Sequence, residues 1–188
     1  MTWDDHEHDA HAKRTFEKNG RDPQLWVAFA DDLHHAADVL WEATSPIAPV
    51  KGEPPSLEKI AWLMSVGKIA MMLDGFAVEM LAKAVMVRRD PDAVKDGRWR
   101  GRRKGHPLPA LLEEIGFPLS PDETALVAHL AAFAAWAGRY PIPLEYTATT
   151  AKVTDGKIEL APGTLLSTDD RQAAADLIAR LRRLAAAA

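Results

Sequence analysis

Charged side chains interrupt the longest apolar stretch of this 188-residue chain, which runs from Ile60 to Val87. Glu79 and Lys83 are four residues apart, in the order that favours an ion pair on one face of a helix. We therefore predict that these two side chains meet. Two roles stay open for the pair, which can be a partly exposed structural ion pair or the polar wall of a ligand cavity.

A strongly basic segment follows, from Arg88 to His106. It holds eight Lys or Arg residues against three Asp residues, and so carries five net positive charges in a chain whose formal net charge is −4. Arginines bind phosphate through paired hydrogen bonds, and a tryptophan among them can stack on a nucleobase. A solvated, flexible run of charge is the alternative. The candidate binding residues in this segment are Trp99, Arg100, Arg102, Arg103 and Lys104.

Two more candidates for chemistry lie at predicted helix ends. His106 stands just before a short predicted helix, where it can titrate near neutrality as an acid or base, or simply cap the helix. Arg139 and Tyr140 come after a helix end, which Gly138 permits by its tolerance of left-handed backbone and Pro141 enforces. Arg139 there can face a phosphate, or it can pair with a carboxylate at the end of the bundle.

Two groups of residues have the chemistry of metal ligands, but we predict neither a metal site nor a cofactor. The first group lies in a polar N-terminal segment without a rigid frame, and the second shares one face of a predicted helix. The chain has no cysteine, which excludes disulfides, thiol nucleophiles and Cys-ligated zinc. The two groups are His6, His8, Asp9 and His11, and Asp31, His35 and Asp38.

Apolar spacing, Pro or Gly breaks and capping residues, such as the capping box of Ser120 and Glu123, predict an all-α fold, a five-helix up-and-down bundle. Residues 1–20 are predicted to be a flexible tail, and 21–188 a single helical domain. Alternating residues around Asp155 and Gly156 predict a β-hairpin, an insertion at about 144–165 before the last helix. The predicted helices span 22–44, 56–89 (unless broken near Gly67 or Gly75), 107–116, 120–137 and 168–184.

The compartment is predicted from two further features. The N-terminus is polar and has no apolar core of a secretory signal. Lys68, Asp74, Glu79 and Lys83 break the longest apolar stretch, so no run approaches the roughly 20 apolar residues of a membrane span. We therefore expect a soluble, cytoplasmic protein without a membrane partner.

Three motifs in this order resemble the HEPN domain, the nucleotide-binding domain of higher eukaryotes and prokaryotes. They are "GFAVEMLAKAVMV" (75–87), "GHPLPALL" (105–112) and "GRYPIP" (138–143), and an amphipathic terminal helix follows them. The resemblance covers most of the chain and depends on the order and spacing of short motifs. It implies an up-and-down helical bundle that binds RNA or a nucleotide, often as a homodimer, in toxin–antitoxin or defence systems with a cognate protein partner.

The resemblance also implies roles for particular residues. The family's Glu and Lys fall on Glu79 and Lys83, its His on His106, and its Arg-Tyr-Pro begins at Arg139. If the protein is a metal-independent ribonuclease, His106 would be the base acting on a 2′-hydroxyl, and Arg139 or Arg100 would stabilise charge on the phosphate.

One departure from the family pattern bears on catalysis. Ribonuclease members have a His a short way after their Arg, and Arg139 has no His after it, although Arg100 and His106 meet that spacing. We therefore favour binding over cleavage and leave enzymatic activity open. The alternative function is a non-catalytic dimeric helical module that binds a protein, since Ala-rich faces such as Ala131 to Ala135 permit close helix approach. A small-molecule enzyme that uses the Glu79 and Lys83 wall is a third option.

Overall fold

The computed structural model describes residues 5–44, 56–101, 108–139, 152–154, 157–159 and 168–187. These ranges hold six α-helices, so the all-α class predicted from the sequence is confirmed. The helices are α1 (Asp5–Gly20), α2 (Pro23–Thr44), α3 (Leu57–Arg89), α4 (Leu108–Glu114), α5 (Pro121–Ala132) and α6 (Thr168–Ala187). A π-helical turn, Phe133–Ala137, continues α5, and a 3-10 turn, Pro91–Ala93, follows α3.

Helix α3 is the centre of the fold and packs against α2, α4, α5 and α6. It runs for 33 residues without a break, from the cap Ser56, whose hydroxyl accepts from the Lys59 amide, to Asp90. Gly75, where a break was considered, instead allows a close crossing, since a Cβ there would lie 2.8 Å from the Leu130 carbonyl oxygen. The core is formed mainly by α3 with α4, α5 and α6, and includes Val78, Leu81, Leu112, Leu130, Phe133, Leu177 and Leu181.

Helix α1 corrects the sequence analysis, which assigns no helix before residue 22. Its composition is polar, so apolar periodicity gave no signal for it. The helix is attached by polar contacts at its C-terminal end. Glu17 forms an ion pair with Arg21 at 3.4 Å, and the Gly20 carbonyl accepts from the Trp26 indole at 2.8 Å.

The end of α5 also differs from expectation. The predicted capping box is present at its start, where Ser120 and Glu123 exchange side-chain and backbone hydrogen bonds. At its other end, Gly138 does not adopt the left-handed backbone that we predicted for a helix-ending glycine. Its lack of a side chain serves a close approach instead, because a Cβ would lie 2.5 Å from the Cβ of Met72 and 2.9 Å from the Lys68 carbonyl oxygen.

Two short antiparallel hairpins accompany the helices. Strands β3 (Lys152–Thr154) and β4 (Lys157–Glu159) confirm the hairpin predicted around Asp155, with Val153 opposite Ile158. Strands β1 (Val94–Lys95) and β2 (Arg98–Trp99) form a second hairpin within the basic segment, where the sequence analysis assigns no helix or strand.

Helix α6 is tied to α2 by two ion pairs on the surface, Arg171 with Asp38 at 3.3 Å and Arg182 with Asp31 at 2.7 Å. Asp31 and Asp38 therefore pair with arginines, and no cluster of metal-ligating side chains occurs among the described residues. No helix in the described part of the chain is long and apolar enough to cross a bilayer.

Candidate functional site

The Glu79 and Lys83 side chains form the predicted ion pair on α3. The Lys83 Nζ lies 2.5 Å from the Glu79 Oε1. The Glu79 side chain is only 2% exposed, whereas that of Lys83 is 20% exposed. The Glu79 carboxylate therefore lies in the core, and the Lys83 ammonium is partly exposed to solvent.

The Lys83 ammonium also contacts two tryptophan rings. Its Nζ lies 5.7 Å from the ring centroid of Trp26 on α2 and 5.6 Å from that of Trp99 on β2. The two rings contact each other, with centroids 5.5 Å apart and planes inclined by 52°. A cation in this position is attracted by the negative faces of both rings. The three side chains thus form one cluster, which we call the Trp–Lys cluster.

The β1–β2 hairpin determines where Trp99 lies. Its turn has Asp96 and Gly97 at φ 54° and 69°, the left-handed backbone of a two-residue hairpin turn. Two hydrogen bonds attach the hairpin to the α1–α2 junction. The Gly97 amide donates to Glu17 Oε1 at 2.9 Å, and the Arg21 Nε donates to the Val94 carbonyl at 2.8 Å.

The Trp–Lys cluster lines a cavity of about 620 Å³ between α1, α2, α3 and the hairpin. Most of the lining is apolar, and the exceptions are Thr15, Asn19 and Lys83. Phe16, Leu25 and Phe29, which also line the cavity, remain about half exposed to solvent. The other lining residues are Gly20, Trp26, Met80, Val94 and Trp99. An apolar, aromatic cavity with one charged hydrogen-bond donor suits a planar ligand that carries acceptors on its edge.

Arg100, the neighbour of Trp99, lies at a different cavity. It forms an ion pair with Asp96 and helps to line a second cavity of about 450 Å³, together with Arg89, Asp92 and Glu114. Successive residues of an extended chain point to opposite sides, which separates Trp99 from Arg100. The second cavity contains acidic and basic groups in similar number, so it has no strong preference for an anion.

Arg139 lies beside a different part of α3, about three helical turns from Lys83. It is exposed, and it follows Gly138, whose backbone is in close contact with α3 at Lys68 and Met72. Met72 precedes Lys83 by eleven residues, which corresponds to about 16 Å along the helix axis. The structure thus brings Glu79, Lys83 and Trp99 together and leaves the backbone at Arg139 apart from them.

Several predicted site residues lie outside the described residues. They are His106, Tyr140, Arg102, Arg103 and Lys104. Their roles in binding or catalysis stay predictions from the sequence.

No family model matches the sequence, and no curated protein or solved structure is significantly similar to it. The resemblance to the HEPN domain is therefore untested. The Trp–Lys cluster stands independently of that resemblance, because it is defined by the contacts of this chain alone.

The sequence analysis predicted only part of a second polar pair in the core, which Asp74 forms with His34. Asp74, which is 1% exposed, accepts from His34 Nδ1 at 2.7 Å. The sequence analysis noted Asp74 as a charge in an apolar stretch, but placed His35 rather than His34 beside Asp31 and Asp38. In the structure the Nε2 of His34 lies 3.9 Å from the Asp38 carboxylate, one helical turn further along α2.

The two partners influence each other's protonation. The hydrogen bond to Asp74 raises the pKa of His34 above its ordinary value, more than burial lowers it. Burial raises the pKa of Asp74, and the hydrogen bond to His34 opposes this shift. The hydrogen bond favours the charged form of both partners, and the burial of each side chain disfavours it.

One signal in the sequence would have located part of the Trp–Lys cluster. The dipeptide Asp96-Gly97, flanked by Val94-Lys95 and Arg98-Trp99, is a strong local sign of a two-residue hairpin. Trp26 carries no comparable signal, because a tryptophan at helical spacing is ordinarily a core residue.

Proposed function

We propose that the protein is a HEPN-like domain that binds RNA or a nucleotide, with a nucleobase in the cavity of the Trp–Lys cluster. The observation that carries the proposal is the position of Lys83, paired with Glu79 and in contact with two tryptophan rings at the wall of an apolar cavity. Because Glu79 neutralises Lys83, the cavity favours a neutral aromatic group with hydrogen-bond acceptors over a free anion. A nucleobase has this chemistry.

The geometry of the ring pair limits where a base stacks. A base inserted between two rings needs a gap of about 7 Å, twice the contact distance of about 3.5 Å between stacked carbon atoms. The Trp26 and Trp99 centroids are 5.5 Å apart, which leaves no such gap. The base therefore stacks on the cavity side of the pair, against one ring.

The phosphate of the ligand is assigned to the basic segment around Trp99. Arg98, which precedes Trp99 in the chain, is exposed. Arg102, Arg103 and Lys104 follow closely in the sequence. Exposed arginines and lysines bind phosphate oxygens, and this part of the affinity falls as salt concentration rises. RNA cleavage by His106 with Arg139 or Arg100 stays a separate prediction of the sequence.

Binding of a fluorescently labelled oligoribonucleotide, measured by anisotropy across a salt series, tests this proposal. Trp99→Ala should weaken binding about tenfold, since stacking on an aromatic side chain contributes roughly 1–3 kcal/mol per base. Trp62→Ala is the matched control, because Trp62 is an exposed tryptophan on the N-terminal part of α3 that does not line the cavity. Equal affinities for the wild type and the Trp99 variant would contradict the proposal.

A second candidate function is a dimeric helical module that binds a protein, and one observation favours it. The first turns of α3 expose large apolar side chains, with Leu57 85%, Trp62 43% and Ile60 41% exposed. Exposed apolar side chains grouped on one segment are typical of protein interfaces. A change of oligomeric state on substitution of these residues, together with no binding of the labelled oligoribonucleotide, would favour this candidate over the first.

A further inference from the structure

We propose that the base bound at the Trp–Lys cluster is guanine. The inference rests on the proposed function and names the ligand class of the same cavity. It depends on which hydrogen-bonding groups the cavity presents at its charged edge.

Lys83 is the charged side chain that lines the described part of the cavity, and it presents donors only. A lysine ammonium has three N–H donors and no acceptor. One donor of Lys83 is used by Glu79, at 2.5 Å. Glu79 does not line the cavity and is 2% exposed, so its oxygens face Lys83 and the core rather than a ligand. The ligand therefore meets the remaining N–H groups of Lys83.

The four bases differ in what they offer to such an edge. Guanine presents O6 and N7 side by side, and both are acceptors. Adenine places its N6 amino donor beside N7, and cytosine presents an N4 amino donor. An ammonium can donate to both guanine acceptors, whereas adenine sets its amino donor beside N7. Cytosine has the acceptors N3 and O2, and uracil has carbonyl acceptors, but the single ring of each covers less of the apolar wall of a cavity of about 620 Å³.

Asn19 provides a competing preference that has to be weighed. A neutral Asn amide suits adenine, through paired hydrogen bonds to N6 and N7. The same amide can instead accept from the N1–H or the amino group of guanine through its oxygen. Charge-assisted hydrogen bonds are roughly twice as strong as neutral ones. The contact with Lys83 therefore outweighs the one with Asn19.

Calorimetric titration of the wild-type protein with a nucleotide series tests the inference. GMP should bind about tenfold more tightly than AMP or CMP, because one good pair of hydrogen bonds discriminates between bases by about 1–3 kcal/mol. IMP, which keeps O6 and N7, should bind within a few-fold of GMP. The 7-deaza analogue of GMP, which lacks N7, should bind more weakly than GMP.

The outcomes separate this inference from the proposed function. Equal or tighter binding of AMP would overturn the choice of guanine and leave nucleotide binding intact. Binding of no nucleotide and no oligoribonucleotide would overturn both. The double variant Glu79→Gln with Lys83→Gln removes both charges of the pair, and it should bring GMP and AMP to similar affinities. A retained GMP preference would contradict the role of Lys83. If that variant fails to fold, the wild-type series still decides.

Discussion

At the scale of single residues, the described part of the core holds two carboxylates on α3, and each contacts a basic side chain. Glu79 has Lys83 and Asp74 has His34, at 2.5 and 2.7 Å respectively. Loss of one partner of a buried pair is costly, because the remaining charge is left in a poorly solvating environment. The His34 pair is also sensitive to pH, since histidine is the side chain whose ordinary pKa lies near neutrality.

Replacement of His34 should change how stability depends on pH. The pKa of His34 is raised in the folded protein, so its contribution is fully present below about 6.5, the ordinary His value, and is lost as pH rises through the folded pKa. The raised pKa of Asp74 also lowers stability as pH rises, from its ordinary value of 3.8 up to its folded pKa, because the buried side chain then gives up its proton at a free-energy cost. Urea unfolding should show that His34→Gln destabilises by about 1–3 kcal/mol at pH 6 and by less at pH 8.5.

The neighbouring histidine is a matched control for this experiment. His35 is exposed on the same helix, so His35→Gln should leave both the stability and its pH dependence unchanged. An equal loss of stability at both pH values in the His34 variant would show that the stabilisation by this side chain does not depend on its charge.

At the scale of elements, the crossing of α3 with the end of α5 depends on two glycines. Gly75 and Gly138 lie where the backbones of the two elements come closest. The π-helical turn Phe133–Ala137 ends at this contact, where the Gly138 amide donates to the Phe133 carbonyl at 3.1 Å. The wider π turn and the glycine after it together set the direction in which the chain leaves α5 toward Arg139.

Substitution of Gly138 should therefore destabilise the fold through overpacking. A Cβ at this position would lie 2.5 Å from the Cβ of Met72 and 2.9 Å from a carbonyl oxygen of α3, and neither atom is the end of a flexible side chain. We expect Gly138→Ala to lower the free energy of unfolding by about 1–3 kcal/mol. Ala135→Ser, on the exposed side of the same turn, should change it by less than about 0.5 kcal/mol. Unfolding in urea measures both, and an unchanged Gly138 variant would refute the close-approach role.

At the scale of the whole molecule, α3 is both the centre of the core and an exposed surface. Its middle and C-terminal turns are covered by other helices, while residues 57–62 at its start are exposed. A long central helix with an uncovered apolar end is a candidate for contact with a second copy of the chain or another protein.

Measurement of the oligomeric state tests whether this surface is an interface. If the protein forms a dimer through the start of α3, Leu57→Glu with Trp62→Glu should shift the mass in light scattering from dimer to monomer at micromolar concentration. Lys59→Ala, an exposed polar residue in the same turn, is the control and should leave the mass unchanged. A wild-type monomer, or a dimer that withstands both charges, would rule out this interface.

Features that depend on a few neighbouring residues were predicted from the sequence. The Glu79 and Lys83 pair, the capping box at Ser120 and the β3–β4 hairpin follow from spacings along one segment, and all three are present. The polar helix α1 was missed because it has no apolar period, and the β1–β2 hairpin was missed although Asp96-Gly97 predicts it.

The sequence by itself determined the all-α class, the long helix α3 and the chemistry available on it. The tertiary structure decided which of these groups meet. Trp26, Lys83 and Trp99 belong to three elements, and their contact depends on the hairpin being held to α1 by Glu17 and Arg21. Local spacing determines neighbours within about one helical turn, whereas contacts between distant segments depend on how whole elements pack, and no single segment carries that information.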